Sequence, residues 1–312
     1  MSLRPAKFAT PAVEGLTLRG SDGGAIGDGI QRVSIDQDMS DATTYRPESR
    51  PAGFSWGGFS PRAYRDLLIS LVSAQMKTRY RFTSIGLGWA VVNPIVMMFV
   101  YAFIFGAIFG VDRASYKLFL LAGLLPWQSF SSGLSSSVRS YVMGGDLLRK
   151  VPFPSEVVPL ASVASAMLNF CIILSIYLVY MGVIGYDVLG SIQWVLVAVA
   201  LEILFLTGLS LLLSCWNVFV RDVEQIVVFG ISVWFFLTPI VYPLARLSDG
   251  QTQAILYSNP MAVVVTTIQN AVLRGLAPPL GPLAFSFLLS FLILLGGWFV
   301  YRRVKYELPK MA

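Results

Sequence analysis

The sequence predicts an all-α polytopic membrane protein. It has six transmembrane helices, an N-terminal amphipathic interface helix, and a re-entrant helical excursion on the outer side before the last span. Three observations predict this. Of 312 residues, 55% are hydrophobic and only 13% charged, about half the charged share of an ordinary soluble domain. Residues 60–312 hold several apolar runs of about 20 residues, enough for a helix to cross a hydrocarbon core of about 30 Å with its own backbone polar groups satisfied. Lysine and arginine gather between alternate runs, the bias that orients helical membrane proteins. The net charge of +6 is therefore read as topology, not as a nucleic-acid footprint.

The elements follow in order. Residues 1–59 are rich in Gly, Ser, Asp, Thr and Pro and contain no apolar run. Such a segment buries too little surface to offset its ordering entropy, and it lacks the apolar centre of a secretory signal. It is expected to be a flexible cytoplasmic tail ahead of a membrane domain at 60–312. In "SPRAYRDLLISLVSAQMKTRYR", Ser60 suits a helix cap and Pro61 its first turn. Leu67, Leu68, Leu71 and Val72 fall on one face, with Arg62, Arg65 and Asp66 largely away from it. A helix lying on the membrane surface and an ordinary packing helix both fit that pattern.

The spans are placed at 87–110, 118–138, 157–181, 192–216, 223–242 and 282–301. The segment 254–273 carries Asn259, Pro260, Thr266, Thr267, Gln269 and Asn270, too polar for a lipid-facing span. Charge decides its placement. With six spans and both termini in the cytoplasm, thirteen of the Lys and Arg beyond residue 60 lie inside, from Arg62 to Lys310. Four lie outside: Arg113, Lys117, Arg246 and Arg274. A seventh span would carry "YRRVKYELPK" to the outside, against the positive-inside rule. Residues 244–278 are therefore read as a re-entrant or surface-lying excursion, tolerable where protein or water covers its irregular backbone.

Composition also excludes functions. No histidine is present, which removes the commonest general base and metal ligand and rules out a Ser-His-Asp triad or a zinc site. Cys171 and Cys215 sit inside apolar runs and are expected to be buried free thiols. Glu202 lies mid-span, where an ionisable residue is costly and faces the bundle interior or water; structural glue and a proton relay are the two readings. Aromatics crowd the first span, and Phe99 and Phe103 share a face with Gly106 and Gly110. Such a stripe could line a path for sugar rings or simply pack.

"RYRFTSIGLGWAVVNP", Arg79 to Pro94, joins the first helix to the first span. Arg79 and Arg81 can anchor the span, with Tyr80, Phe82 and Trp89 at headgroup depth and Gly86 and Gly88 permitting a bend. The same residues resemble the start of the permease subunit of a type-2 ABC exporter for polysaccharides, the class that exports O-antigen, capsule and teichoic acid. Three further stretches match in order: "DLLRKVPFPSEVVPLA" from Asp146, "WNVFVRDVEQIV" from Trp216, and "FFLTPIVYP" from Phe235 followed by "NPMAVVV" from Asn259.

The resemblance implies an inner-membrane homodimer of six-span subunits with two separate ATP-binding cassette subunits beneath. ATP and magnesium would be bound by those partners; no G-x-x-x-x-G-K-[ST] loop occurs here, and no cofactor is expected in this chain. A lipid-linked, O-antigen-like glycan would be the cargo. Substrate would be admitted at Arg79, Tyr80, Arg81 and Trp89, since guanidinium forks suit a pyrophosphate. Phe99, Phe103 and Glu202 would line the channel. Asp146, Leu147, Arg149, Lys150, Phe153 and Glu156 would couple to the ATPase through a short helix stiffened by Pro152 and Pro154. Arg221 and Asp222 would form a gate or hinge, or only an ion pair and helix cap. An exporter of a small lipid or drug and a proton-driven secondary transporter are the alternatives.

Overall fold

The computed structural model describes residues 60–80, 88–109, 113–145 and 153–308. Among the described residues there are nine α-helices and no strand: α1 (Pro61–Tyr80), α2 (Gly88–Phe109), α3 (Arg113–Met143), α4 (Val157–Val183), α5 (Ile192–Phe219), α6 (Asp222–Leu237), α7 (Asp249–Ser258), α8 (Pro260–Arg274) and α9 (Leu280–Val304). The N-terminal tail falls outside the described residues.

Every stretch expected to span carries a helix. Three segments are long and apolar enough to cross a membrane: Val157–Val183, Leu189–Phe219 and Leu280–Val304. The other three are weaker for physical reasons. In α2 the apolar stretch is Val91–Ile104. In α3 a run of serines dilutes the apolar character, and Ser129, Ser137 and Ser140 are buried rather than facing outward. The helix α6 stops at Leu237, short of the expected 242, where Thr238 turns extended ahead of Pro239.

The core is α3, α4, α5 and α8, with α9 packed along α5, α2 along α3, and α6 against α3 and α5. The α5–α9 seam is set by glycine. A Cβ on Gly208 would lie 2.7 Å from the Leu294 backbone nitrogen, and one on Gly297 would lie 2.6 Å from the Gly208 carbonyl oxygen. Small residues at such crossings let helix backbones approach closely, the usual device where no hydrophobic force separates protein from lipid.

The segment 244–278 divides in two: residues 244–258 are largely exposed, with Leu256 the one buried residue of α7, whereas α8 is buried. Ser248 opens α7 with a capping box to Gln251. Asn259 then separates α7 from α8, its side chain accepting from the Ala262 N–H. Twelve of the fifteen residues of α8 are buried, against α3, α5 and α9. Of the polar residues that disqualify it as a lipid-facing span, Asn259, Thr266 and Gln269 bond to protein, while the buried Thr267 hydroxyl has no hydrogen-bond partner among the described residues. Gln269 Nε2 donates to the Phe119 and Pro239 carbonyls at 3.3 and 3.4 Å. Asn259 Nδ2 donates to Thr238 Oγ1 at 3.0 Å. Gly275, at φ 66°, ends the helix in the left-handed conformation.

The helix α1 packs on α4, with Val72 buried and Gln75 Nε2 donating to Ser162 Oγ at 3.2 Å. Its apolar face is thus met by protein. Cys215 is buried and free as expected; Cys171 is also free but exposed, on the side of α4 turned away from the neighbours that bury most of that helix.

Candidate functional site

Three helices form a groove. Asn93, Met97 and Tyr101 come from α2 at four-residue spacing, Leu124, Trp127, Gln128 and Ser131 from α3, and Ile231, Ser232, Phe235 and Phe236 from α6. They enclose a cavity of about 370 Å³. Its wall is a chain of rings. Phe235 stacks on Tyr101 at 5.3 Å between centroids and meets Trp127 edge-on at 5.8 Å and Phe236 at 5.1 Å. Behind it, Trp127 leans on Phe130, which stacks on Phe205 and meets Trp234 edge-on. Offset and edge-on pairs of this kind are the favoured aromatic geometries, so the wall is rigid. Asn93, Gln128, Ser131 and Ser232 add hydrogen-bonding groups between the rings. Such a surface suits a ligand with both C–H faces and hydroxyls, and it can act without gripping any one hydroxyl.

The expected channel residues are not those of the groove. Phe99 lines a different cavity, between α2, α3 and α4, and Phe103 is 85% exposed. The α2 face toward the groove is the Asn93–Met97–Tyr101 row instead. On a helix apolar all round, aromatic spacing does not choose a face; the lone polar Asn93 is the signal that could have done so. Glu202 is wholly buried and lines neither cavity. Its polar neighbour is Ser129 of α3, yet neither the carboxylate oxygens nor the Ser129 hydroxyl makes a hydrogen bond. Among the described residues it has no pairing with Arg or Asn, the contact that would make it structural glue.

At the end of the bundle where α4 begins and α9 finishes, Phe153 is buried with Tyr141, Val158, Cys215, Val218, Tyr301 and Leu308. It is therefore not an exposed apolar tip offered to a partner; the ring is part of the packing that seats the connection into α4. Glu156 accepts a hydrogen bond from Tyr301 Oη of α9, and Ser155 Oγ lies 3.2 Å from the same phenol. Tyr64 of α1 also faces this carboxylate, and burial, with the Glu156 charge second, pushes its phenol above the usual tyrosine value. Glu156 thus ties the start of α4 to α9. Asp146, Leu147, Arg149 and Lys150 lie outside the described residues, as does Arg81. Arg79 and Tyr80 close α1, and Trp89, half exposed, opens α2.

Arg221 and Asp222 are both exposed, and among the described residues neither forms an ion pair or a side-chain cap. The junction is held by Asn217, which the sequence did not single out, with Glu224 and Arg139. Asn217 Nδ2 donates to the Val138 carbonyl at 3.0 Å, and its Oδ1 accepts from the Glu224 N–H at 3.1 Å. Arg139 Nε then lies 3.7 Å from Glu224 Oε1. These contacts tie the ends of α3 and α5 to the start of α6, the helix that supplies Phe235 and Phe236 to the groove.

A family profile described as ABC-2 type transporter matches residues 66–273, which take in the groove and the junction beneath it. The chain belongs to that family. Among its relatives, an O-antigen export system permease protein from Myxococcus xanthus is 33% identical over 221 residues, covering 70% of this chain and 85% of the relative. A protein of the same description from Klebsiella pneumoniae is 28% identical over 247 residues, 79% of this chain and 95% of the relative. A polysialic acid transport protein from Escherichia coli is 24% identical over 214 residues, 66% of this chain and 81% of the relative. In this ABC-2 type transporter, both the groove helices α2, α3 and α6 and the buried helix α8 fall largely within the matched region.

Proposed function

We propose that this chain is the transmembrane subunit of an ATP-driven exporter that moves a lipid-linked polysaccharide across the cytoplasmic membrane. The observation that carries the proposal is the groove, which alternates rings with uncharged hydrogen-bonding groups along three helices. A polymer must slide, so its path should offer many weak contacts and no charged anchor, and among the described residues no charged one lines this cavity. Relatives described as O-antigen export permeases support the polysaccharide cargo. In this reading the chain spans the membrane six times with both termini in the cytoplasm and pairs with a second copy. Two ATP-binding cassette subunits bind beneath, at the 146–156 connection, and hydrolyse the ATP. Force enters through that connection, and the Glu156–Tyr301 and Asn217–Glu224 contacts carry it into α9 and α6. Arg79, Tyr80, Arg81 and Trp89 receive the pyrophosphate end of the cargo, and residues 1–59 remain a cytoplasmic tail.

The test is to replace the polar groups of the groove by apolar ones of similar size and to measure surface glycan in cells lacking the native gene. Asn93→Leu with Gln128→Leu should leave insertion and ATPase pairing intact while lowering export at least tenfold. Phe103→Leu, outside the groove, should export normally. Full export by the double variant would remove the groove from the glycan path.

A further inference from the structure

A second cavity lies on another face of α2. It measures about 650 Å³ and is walled by α2, α3 and α4, within the size range of sites that hold a small-molecule ligand, about 300–1,000 Å³. Its walls are Ile95 and Met98 of α2, Leu121 and Leu125 of α3, and Ile173 and Ile176 of α4. The cavity exists because α2 packs along α3 but barely touches α4, so the two helices stand apart like the sides of a wedge. Its mouth is open, since Ile176 and Tyr180 are half exposed. Water has little reason to fill it. The Tyr177 hydroxyl is already spent on the Leu118 carbonyl at 3.1 Å, and buried water needs several free polar partners.

Among the described residues, one cation stands at this cavity. The Lys117 ammonium lies 5.0 Å above the Phe99 ring, and among the described residues it pairs with no carboxylate. A cation–π contact offsets part of its desolvation but leaves its charge uncompensated. An apolar slot with a lone ammonium matches an acyl chain with a singly charged anionic head.

We propose that this crevice is a phospholipid site. It takes an acyl chain of an anionic glycerophospholipid whose phosphodiester pairs with Lys117. A single ammonium matches the one charge of a phosphodiester better than the two of a pyrophosphate, so the occupant is a bilayer lipid and not the carrier end of the exported glycan. The site depends only on the chain lying in a membrane. Its failure would leave the polysaccharide reading untouched, and the reverse also holds.

The full-length chain is reconstituted in vesicles of equimolar phosphatidylglycerol and phosphatidylcholine, re-extracted in mild detergent, and its retained lipids are counted by mass spectrometry. The wild type should retain phosphatidylglycerol preferentially. Lys117→Gln should reduce that enrichment about fivefold, the weight of one lysine near a membrane surface, and Lys117→Arg should keep it. Ile176→Trp, at the exposed mouth, should displace the retained lipid without lowering thermal stability, and it serves where Lys117→Gln yields no folded protein. No preference in the wild type, unchanged enrichment in Lys117→Gln, or undiminished retention in Ile176→Trp would each overturn the proposal.

Discussion

The helices α8 and α9 invert the usual relation between polarity and depth. The helix α8 carries Thr266, Thr267, Gln269 and Asn270, and twelve of its fifteen residues are buried. The helix α9 is apolar over most of its length, up to Arg302 and Arg303 in its last turn, yet only 22% of its most apolar stretch is buried. The same inversion operates within α9. Its buried residues include Ser286, Ser290 and Gly297, while Phe285, Leu288, Phe291, Leu292, Leu295 and Phe299 face outward. In lipid, an outward leucine costs nothing and an outward glutamine costs several kcal/mol. Polar and small residues therefore gather where protein can bond them or pack closely. Cohesion comes from those contacts rather than from burying leucine.

The strongest way to break this comparison is at the glycine seam, which holds α9 in place of an apolar core. Gly208→Leu would drive a side chain into the Leu294 backbone, and the expected loss exceeds about 4 kcal/mol, the range of severe core disruption. Little monodisperse protein should survive size-exclusion chromatography. If the variant elutes and melts like the wild type, the apolar exterior holds α9 after all.

The next effect tests α8. Gln269→Leu removes two hydrogen bonds and takes a donor from the buried Pro239 carbonyl, while the Phe119 carbonyl keeps its place in the α3 helix, at a cost of about 1–3 kcal/mol. Thermal unfolding followed in detergent should show a clear downward shift. An unchanged or raised midpoint would mean that the polar face of α8 contributes nothing to its docking.

A smaller effect of opposite sign is expected at Glu202. It is buried with both carboxylate oxygens unbonded, so Glu202→Gln keeps the shape and removes an ionisable group that has no partner. The melting midpoint should not fall, and export should persist at the wild-type level. A loss of export with normal stability would restore the proton-relay reading. Least of all should change on the outer face of α9: Leu288→Ala with Leu292→Ala should alter stability by about 0.5 kcal/mol or less, as at other surface positions.

Much of this molecule was legible in its sequence. Apolar length located the helices at all six expected spans, because a helix that must bond its own backbone declares itself by composition. The polarity of 254–273 marked that segment as one that lipid cannot face. The four stretches from Arg79 to Val265 led to the transporter family. Rotation of each helix about its axis was not legible. Phe99 and Phe103 form as regular a stripe as Asn93, Met97 and Tyr101, and a helix greasy on every side leaves periodicity without a reference. Phe153 is expected among the residues that couple to the ATPase, and nothing local shows that Tyr141, Cys215 and Tyr301 close over it from three other helices.

By itself, the sequence determined that the chain is helical, that it lives in a membrane, and which segment must be shielded from lipid. Each of those follows from the solvation of a single segment, which depends only on that segment's residues. Tertiary structure alone decided which face of α2 meets Trp127 and Phe235, that Asn217 rather than Arg221 or Asp222 pins the α5–α6 junction, and that α2 and α4 stand apart around Lys117. Those are contacts between residues far apart in the chain. Their energies are set by the neighbours each helix finds, not by the helix itself.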